Sequence, residues 1–361
     1  MARKDEKRMR IEFSSAIAVS LFVATTGCPS ETVGPPPEPP VNWQSFDAGP
    51  KKSTGPAAAT LRERAVPDAY TAALASADFS ALIRLTDDDA HFSFPGMEDA
   101  HGPDAIVRVY QGLLGAFDQR KATTTRVWRT SSEQTVEWTL TGIQARDWMG
   151  IKASQKPVTI KGLTLIWTKD DGSVTDLHLY FDVAVIKAQL GVGPKDLVSA
   201  AMQSGAPSSN TGASAAPEMF EQASSAAEQG NVAVARGALD ALEKNDLAAY
   251  QGTMADDVEV YTLERAQPWR GKADTGGYFK AMHKALGQLD TTVTDSWGVG
   301  AFAVLEYTLA GEQFGPFGWI PAQRDKTVLF HIVDVVELAA GKITHIWRYD
   351  NPGEIAVVPP S

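Results

Sequence analysis

The sequence predicts an α+β chain in which one domain occurs twice in tandem, and three observations carry that prediction. Segments recur: "AALASADFSALIRLTDDDAHFSFPG" (72–96) lines up with "DALEKNDLAAYQGTMADDVEVYTLE" (240–264), and "TVEWTLTG" (135–142) with "VLEYTLAG" (304–311). The register is kept: Asp78 to Asp182 spans 104 positions, and so does Asp246 to Asp350. Each copy opens with helical periodicity and continues as alternating strands, an order that belongs to α+β rather than to βαβ units.

In chain order, residues 1–28 read as an export signal. "MARKDEKRMR" carries five basic residues, and the apolar stretch after it is too short and too rich in Ser and Thr to span a bilayer stably. Cys28, the only cysteine, follows Thr26 and Gly27. That arrangement resembles a bacterial lipobox, which implies cleavage before Cys28, acylation of its sulfur and anchoring to a membrane surface. Plain secretion and an uncleaved anchor are the alternatives. Residues 29–60 are rich in Pro, Gly and small polar residues and form a disordered tether. Residues 61–194 form the first domain, 195–230 an Ala/Ser/Gly linker, and 231–355 the second, diverged domain.

Within each domain the periodicity predicts a helix over 62–76 and 232–244. A short helix, a strand and the helices at "GPDAIVRVYQGLLGAF" and "GKADTGGYFKAMHKAL" follow. The strands "TTTRVWRT", "TVEWTLTG", "VTIKGLTLIWTKDDG" and "VTDLHLYFD" come last, with a hairpin turn at "DDG". A net charge of −11 excludes nucleic acid and anionic membrane surfaces as partners, leaving the lipid anchor as the membrane contact. The six histidines show no metal-ligand spacing, no Gly-rich loop follows a strand, and "GxSxG" is absent, so neither metal nor cofactor is indicated.

The order of a helix, "DD", a strand ending "PG", "HG..AI", "EWTLTG" and "YFD…QLG" resembles the SnoaL-like polyketide cyclase and ester cyclase family of the nuclear-transport-factor-2-like superfamily. The resemblance implies a cone: a curved, mostly antiparallel sheet closed by N-terminal helices. It covers 62–191 closely and 232–352 more loosely. It implies that the aspartate after the last strand, Asp182 here and Asp350 in the second copy, stands where the family keeps an acid/base residue. It also implies that the two domains pair through their sheets as an intramolecular pseudo-dimer.

Alternation puts His178, Tyr180 and Asp182 on one strand face. Turned into the cone, they would supply a base and two polarising groups for proton abstraction beside a carbonyl. Capping of a turn and passive ligand binding are the other roles open to Asp182. Phe92, Phe94, Trp138 and Trp148 are the expected walls of an apolar pocket, with Gln144 and its counterpart Gln313 as orienting amides. Arg348, two residues before Asp350, would pair with that aspartate and hold it ionised. The reading is an exported protein of the cell envelope, binding a small hydrophobic carbonyl-containing molecule in a cone pocket. Its alternative is a cofactor-independent cyclase or isomerase with Asp182 as general acid/base.

Overall fold

The computed structural model describes residues 56–76, 78–193, 197, 217–322 and 326–357. The expected signal, Cys28 and nearly all of the tether lie outside them. No helix among the described residues is long and apolar enough to cross a membrane.

In the first copy, α1 (Pro56–Ser76) and α2 (Ser80–Ile83) precede β1 (Thr86–Ser93) and β2 (Ala100–His101). Then come α3 (Pro103–Leu114), the long strands β3 (Phe117–Arg129), β4 (Glu133–Gln144) and β5 (Pro157–Thr168), β6 (Val174–Tyr180) and α4 (Val183–Gln189). α3 starts where the sequence dictates. Gly102 holds φ +78°, which an L side chain rarely adopts, and Pro103 supplies the preset φ of a first helical position.

In the second copy, α5 (Ala226–Glu243), α6 (Leu247–Gly252), β8 (Met254–Thr262), β9 (Trp269–Arg270) and α7 (Gly271–Ala285) follow the same order. β10 (Leu286–Val299), β11 (Phe302–Gln313), β12 (Lys326–Ala339) and β13 (Lys342–Asp350) complete it, and a 3-10 turn spans Pro352–Val357. α5 begins inside the segment read as linker, because Ser225 and Glu228 form a capping box there: Glu228 N donates to Ser225 Oγ (3.2 Å) and Ser225 N to Glu228 Oε2 (2.7 Å). The same segment supplies β7 (Glu218–Glu221), which pairs parallel with the end of β3.

The first sheet runs β2-β1-β6-β5-β4-β3-β7, and the second repeats that order as β9-β8-β13-β12-β11-β10. Both sheets are curved, stay open at their edges and carry helices on one face. The curvature has a local cause. β3 slips register between Asp118 and Lys121 and again between Thr124 and Arg126; β10 does so between Gly287 and Asp290 and between Val293 and Asp295. Gln119 and Gln288 take the same left-handed conformation in the two first bulges, φ +53° and +51°. A bulge bends its strand and sharpens the twist, so both sheets bend at matching places.

The concave face of each sheet packs on its own helices. In the first copy Tyr70, Phe92, Tyr110, Trp138 and Phe181 are all at most 2% exposed. Trp138 lies so close over β5 that a Cβ at Gly162 would fall 2.3 Å from its ring. A small polar network ties this core: Tyr70 Oη bonds Tyr110 Oη (2.9 Å) and Thr164 Oγ1 (2.8 Å), to which Trp138 Nε1 donates (3.0 Å). The convex faces are apolar too. Leu163, Leu165, Trp128 and Tyr180 of one copy share a cluster with Val333, Val335, Phe302, Trp347 and Tyr349 of the other. Burial on both faces explains the near-continuous apolar runs "LTLIW" and "FHIVDVV".

The ladders correct the sequence pairing of the last strands. Glu137 faces Leu163, which faces Tyr180; Glu306 faces Val333, which faces Tyr349. Tyr180 therefore matches Tyr349, and Asp182 matches Asn351, not Asp350. The two spacings of 104 agree in number but end one residue out of step, because each copy is offset by 168 positions as far as β1 and by 169 in the strands that follow the long helix before β3.

Candidate functional site

β6 decides where the predicted catalytic residues go. Leu177, Leu179 and Phe181 pack into the first core, so His178 and Tyr180 point the other way, toward the second copy. There they meet Glu306: Tyr180 Oη donates to Oε1 (2.7 Å) and His178 Nδ1 to the same oxygen (2.6 Å). The residue of the second copy that matches Tyr180 is Tyr349, whose hydroxyl donates to Glu137. The two ends differ in charge. Burial alone would raise the Glu137 carboxyl, but the bidentate Arg126 (2.8 and 2.6 Å) outweighs it and holds the group below the usual carboxylate range. β10 has Asp295 where β3 has Arg126, so Glu306 has no arginine and relies on His178, Tyr180 and Thr294.

Asp182 is the N-cap of α4. Its Oδ1 accepts from Ala184 N (2.7 Å) and, more weakly, from Val185 N (3.4 Å), while Oδ2 is buried with no hydrogen-bond partner. It does not meet His178 or Tyr180, which are committed to Glu306. Its neighbours are Glu264, which follows β8, and Asp350. Burial, then the charge of Glu264, pushes the Asp182 carboxyl from its ordinary 3.8 up to about 7. Burial also raises Glu264 and Asp350. The cavity touching Asp182, lined also by Thr159, Lys161, Val185 and Leu263, holds about 10 Å³, the room of a single water. Arg348 does not ionise Asp350 as expected. It turns into the second core and grips Asp334 (2.9 and 2.8 Å) together with Tyr307 (2.9 Å) and Tyr278. Asp334 sits on β12 opposite Arg348, so the nearest bidentate acceptor wins.

The expected pocket walls divide. Phe92 and Trp138 are core side chains, and Gln144 is a loop anchor: its Nε2 donates to Ile151 O (3.1 Å), and its Oε1 accepts from Ser154 Oγ (2.6 Å). Gln313 does the same for Gly315 O and Pro321 O (3.1 and 3.2 Å). Trp148 ties that loop to α3 through Leu113 O (2.8 Å). Phe94 alone reaches a groove.

That groove, of about 340 Å³, runs between α4 and the 3-10 turn. Phe94, Met97, Met149, Val183 and Val192 of the first copy and Trp319 of the second make it largely apolar. Its polar wall consists of Lys187, Asn351 and Glu354. Burial raises the Glu354 carboxyl against the lowering effect of its partner His331 (2.8 Å). Among the described residues Lys187 has no ion-pair partner, and the Trp319 indole N–H has no acceptor. Sequence reasoning missed Glu264, Lys187 and Trp319. The signal for Glu264 was available: a carboxylate stands after an apolar strand where the first copy has Gly96.

The model of the SnoaL-like domain matches residues 68–177 and again 235–346, together more than half of the chain. No curated protein matches. Among solved structures, a protein assigned as a SnoaL-like polyketide cyclase from Jannaschia sp. CCS1 is 19% identical with a TM-score of 0.34, covering 37% of this chain and 97% of its own. An LEH-like epoxide hydrolase of M. tuberculosis is 20% identical (TM-score 0.30; 36% and 89%), and a nuclear-transport-factor-2-like protein of Burkholderia xenovorans LB400 is 15% identical (0.29; 36% and 95%). Each aligns with a length of one copy. The chain thus belongs to the SnoaL-like domain family and carries that domain twice.

Proposed function

We propose that the chain is an exported, lipid-anchored binding protein whose two SnoaL-like copies form an intramolecular pseudo-dimer. Its groove beside α4 takes one small hydrophobic molecule bearing a carbonyl. The observation that carries this reading is the pairing of apolar walls with Lys187, which has no ion-pair partner among the described residues, in a groove of about 340 Å³. A space of that size, mostly apolar with a few polar groups, suits a small ligand. A carbonyl or carboxylate would give the Lys187 ammonium the acceptor it lacks. The groove replaces the cone interior expected for the ligand.

Titration of the protein with a panel of aromatic ketones, quinones and fatty acids, followed by tryptophan fluorescence and thermal shift, tests the reading. Binding of one such ligand, weakened about tenfold or more by Trp319→Ala and by Lys187→Met, supports it. Binding that neither substitution changes overturns it. Anchoring has its own test: mass spectrometry of the membrane fraction should find acyl chains on Cys28, and Cys28→Ser should release the protein. A second reading, acid/base turnover by Asp182, has in its favour a carboxyl that titrates near neutrality. It requires ligand turnover that Asp182→Asn abolishes while leaving binding intact.

A further inference from the structure

β1, β2 and β6 are neighbours in the first sheet, and their register gathers residues that lie far apart in sequence. His91 faces Asp176 on β6 and His101 on β2, while His178 lies two residues beyond Asp176 on the same face. His91 Nδ1 lies 3.5 Å from Asp176 Oδ1, and its ring stands 5.7 Å from that of His178, edge to face. One donor atom from each of His91, Asp176 and His178 lies within 4.8 Å of the others. All three side chains are half-buried, and the Trp167 ring walls one side of His178 at 4.6 Å.

Each imidazole already has one nitrogen committed to a carboxylate. His178 Nδ1 donates to Glu306 (2.6 Å), itself held by Tyr180, and His91 Nε2 lies 3.1 Å from Asp99 Oδ2. This is the arrangement in which a metal-ligating histidine is fixed: an outer carboxylate takes one N–H, sets the tautomer and makes the other nitrogen more basic. We propose that His91, Asp176 and His178 bind a divalent first-row transition cation, zinc foremost, with Asp99 and Glu306 as the positioning carboxylates. Two imidazoles and one carboxylate suit zinc and its neighbours, whereas calcium and magnesium require oxygen donors. Three protein ligands leave one position open to water or a small ligand. The donor atoms need only close to the separation of about 3.3 Å that Zn–N distances near 2.0 Å impose. Because Glu306 comes from the second copy, the ion would brace the two copies as well.

The spacing of the six histidines along the chain shows none of this; cross-strand register alone assembles it. The test is calorimetric titration of the chelator-treated protein with ZnCl2, repeated with CoCl2 to read the visible absorption of bound cobalt. One ion per chain is expected, with a rise in melting temperature. His91→Ala and His178→Ala should each remove stoichiometric binding, and Asp99→Asn should weaken it by about 10- to 100-fold. His345→Ala, in a histidine paired with Glu337 elsewhere, should change nothing. If an alanine variant unfolds by circular dichroism, Asp176→Asn gives the decisive measurement, since it preserves shape and removes a ligand charge. Absence of stoichiometric binding, or binding indifferent to the His91, His178 and Asp176 substitutions, overturns the proposal.

Discussion

Replacing Asp182 by asparagine should stabilise this protein at alkaline pH, although the residue caps a helix. Asparagine keeps the oxygen that accepts from Ala184 and Val185, and it is as good an N-cap as aspartate. What it removes is the cost of ionising a buried group beside Glu264. The folded carboxyl titrates at about 7, against 3.8 for an ordinary aspartate. At 1.36 kcal/mol per pH unit, that span amounts to about 4 kcal/mol. The sign follows from proton binding. The native state holds the proton more tightly than the unfolded chain does, so the contribution of Asp182 is fully present below about pH 4. It is lost as pH rises toward 7, and above 7 it stays lost. The substituted chain has no such titration. Urea denaturation read by tryptophan fluorescence at pH 4 and pH 8 should show near-parity at the acidic value. At pH 8 the variant should be ahead by up to about 4 kcal/mol. A variant that is less stable at pH 8, or whose difference from the parent is the same at both pH values, would refute the reasoning.

Three further outcomes follow from the packing. Glu137→Ala strands Arg126 in the interface with no carboxylate and should cost about 3–5 kcal/mol, measured as a shift of the denaturant midpoint. Tyr180→Phe removes one charge-assisted hydrogen bond to Glu306 but leaves the ring, and about 1.5–3 kcal/mol should be lost in the same assay. Trp138→Ala empties a fully buried site under α1 and leaves Thr164 short of a donor; about 3–5 kcal/mol is expected, and a far smaller loss would show that Trp138 is not a core side chain.

Most of the architecture was legible because a duplication repeats its own evidence. Helical spacing, the hairpin at "DDG" and the paired "TLTG" and "TLAG" strands all reappear as elements. The orientation of β6 was not legible. Leucines and phenylalanine alternate with His, Tyr and Asp, and both faces of the strand are buried, one on helices and one on the sister sheet. Alternation therefore shows two faces without showing which is the core. The one-residue offset between the copies escaped for a related reason: an insertion between two matched segments leaves each match intact while moving the strand end. Arg348 beside Asp350 looked like an ion pair because they are close in sequence. On a strand, a residue two positions away is a poorer bidentate partner than the one directly across, and Asp334 is directly across. The groove drew Phe94 from the predicted set but took Lys187 and Trp319 from places that only tertiary packing joins.

The unlike ends of the shared interface have a consequence for descent. Two separate molecules of one polypeptide meeting about a twofold must place the same residue at both related positions, so a beneficial arginine on one side is necessarily repeated on the other. Joining both halves in a single gene lifts that constraint. Arg126 and Asp295 occupy corresponding bulges with opposite charge, a difference that two identical molecules could not carry.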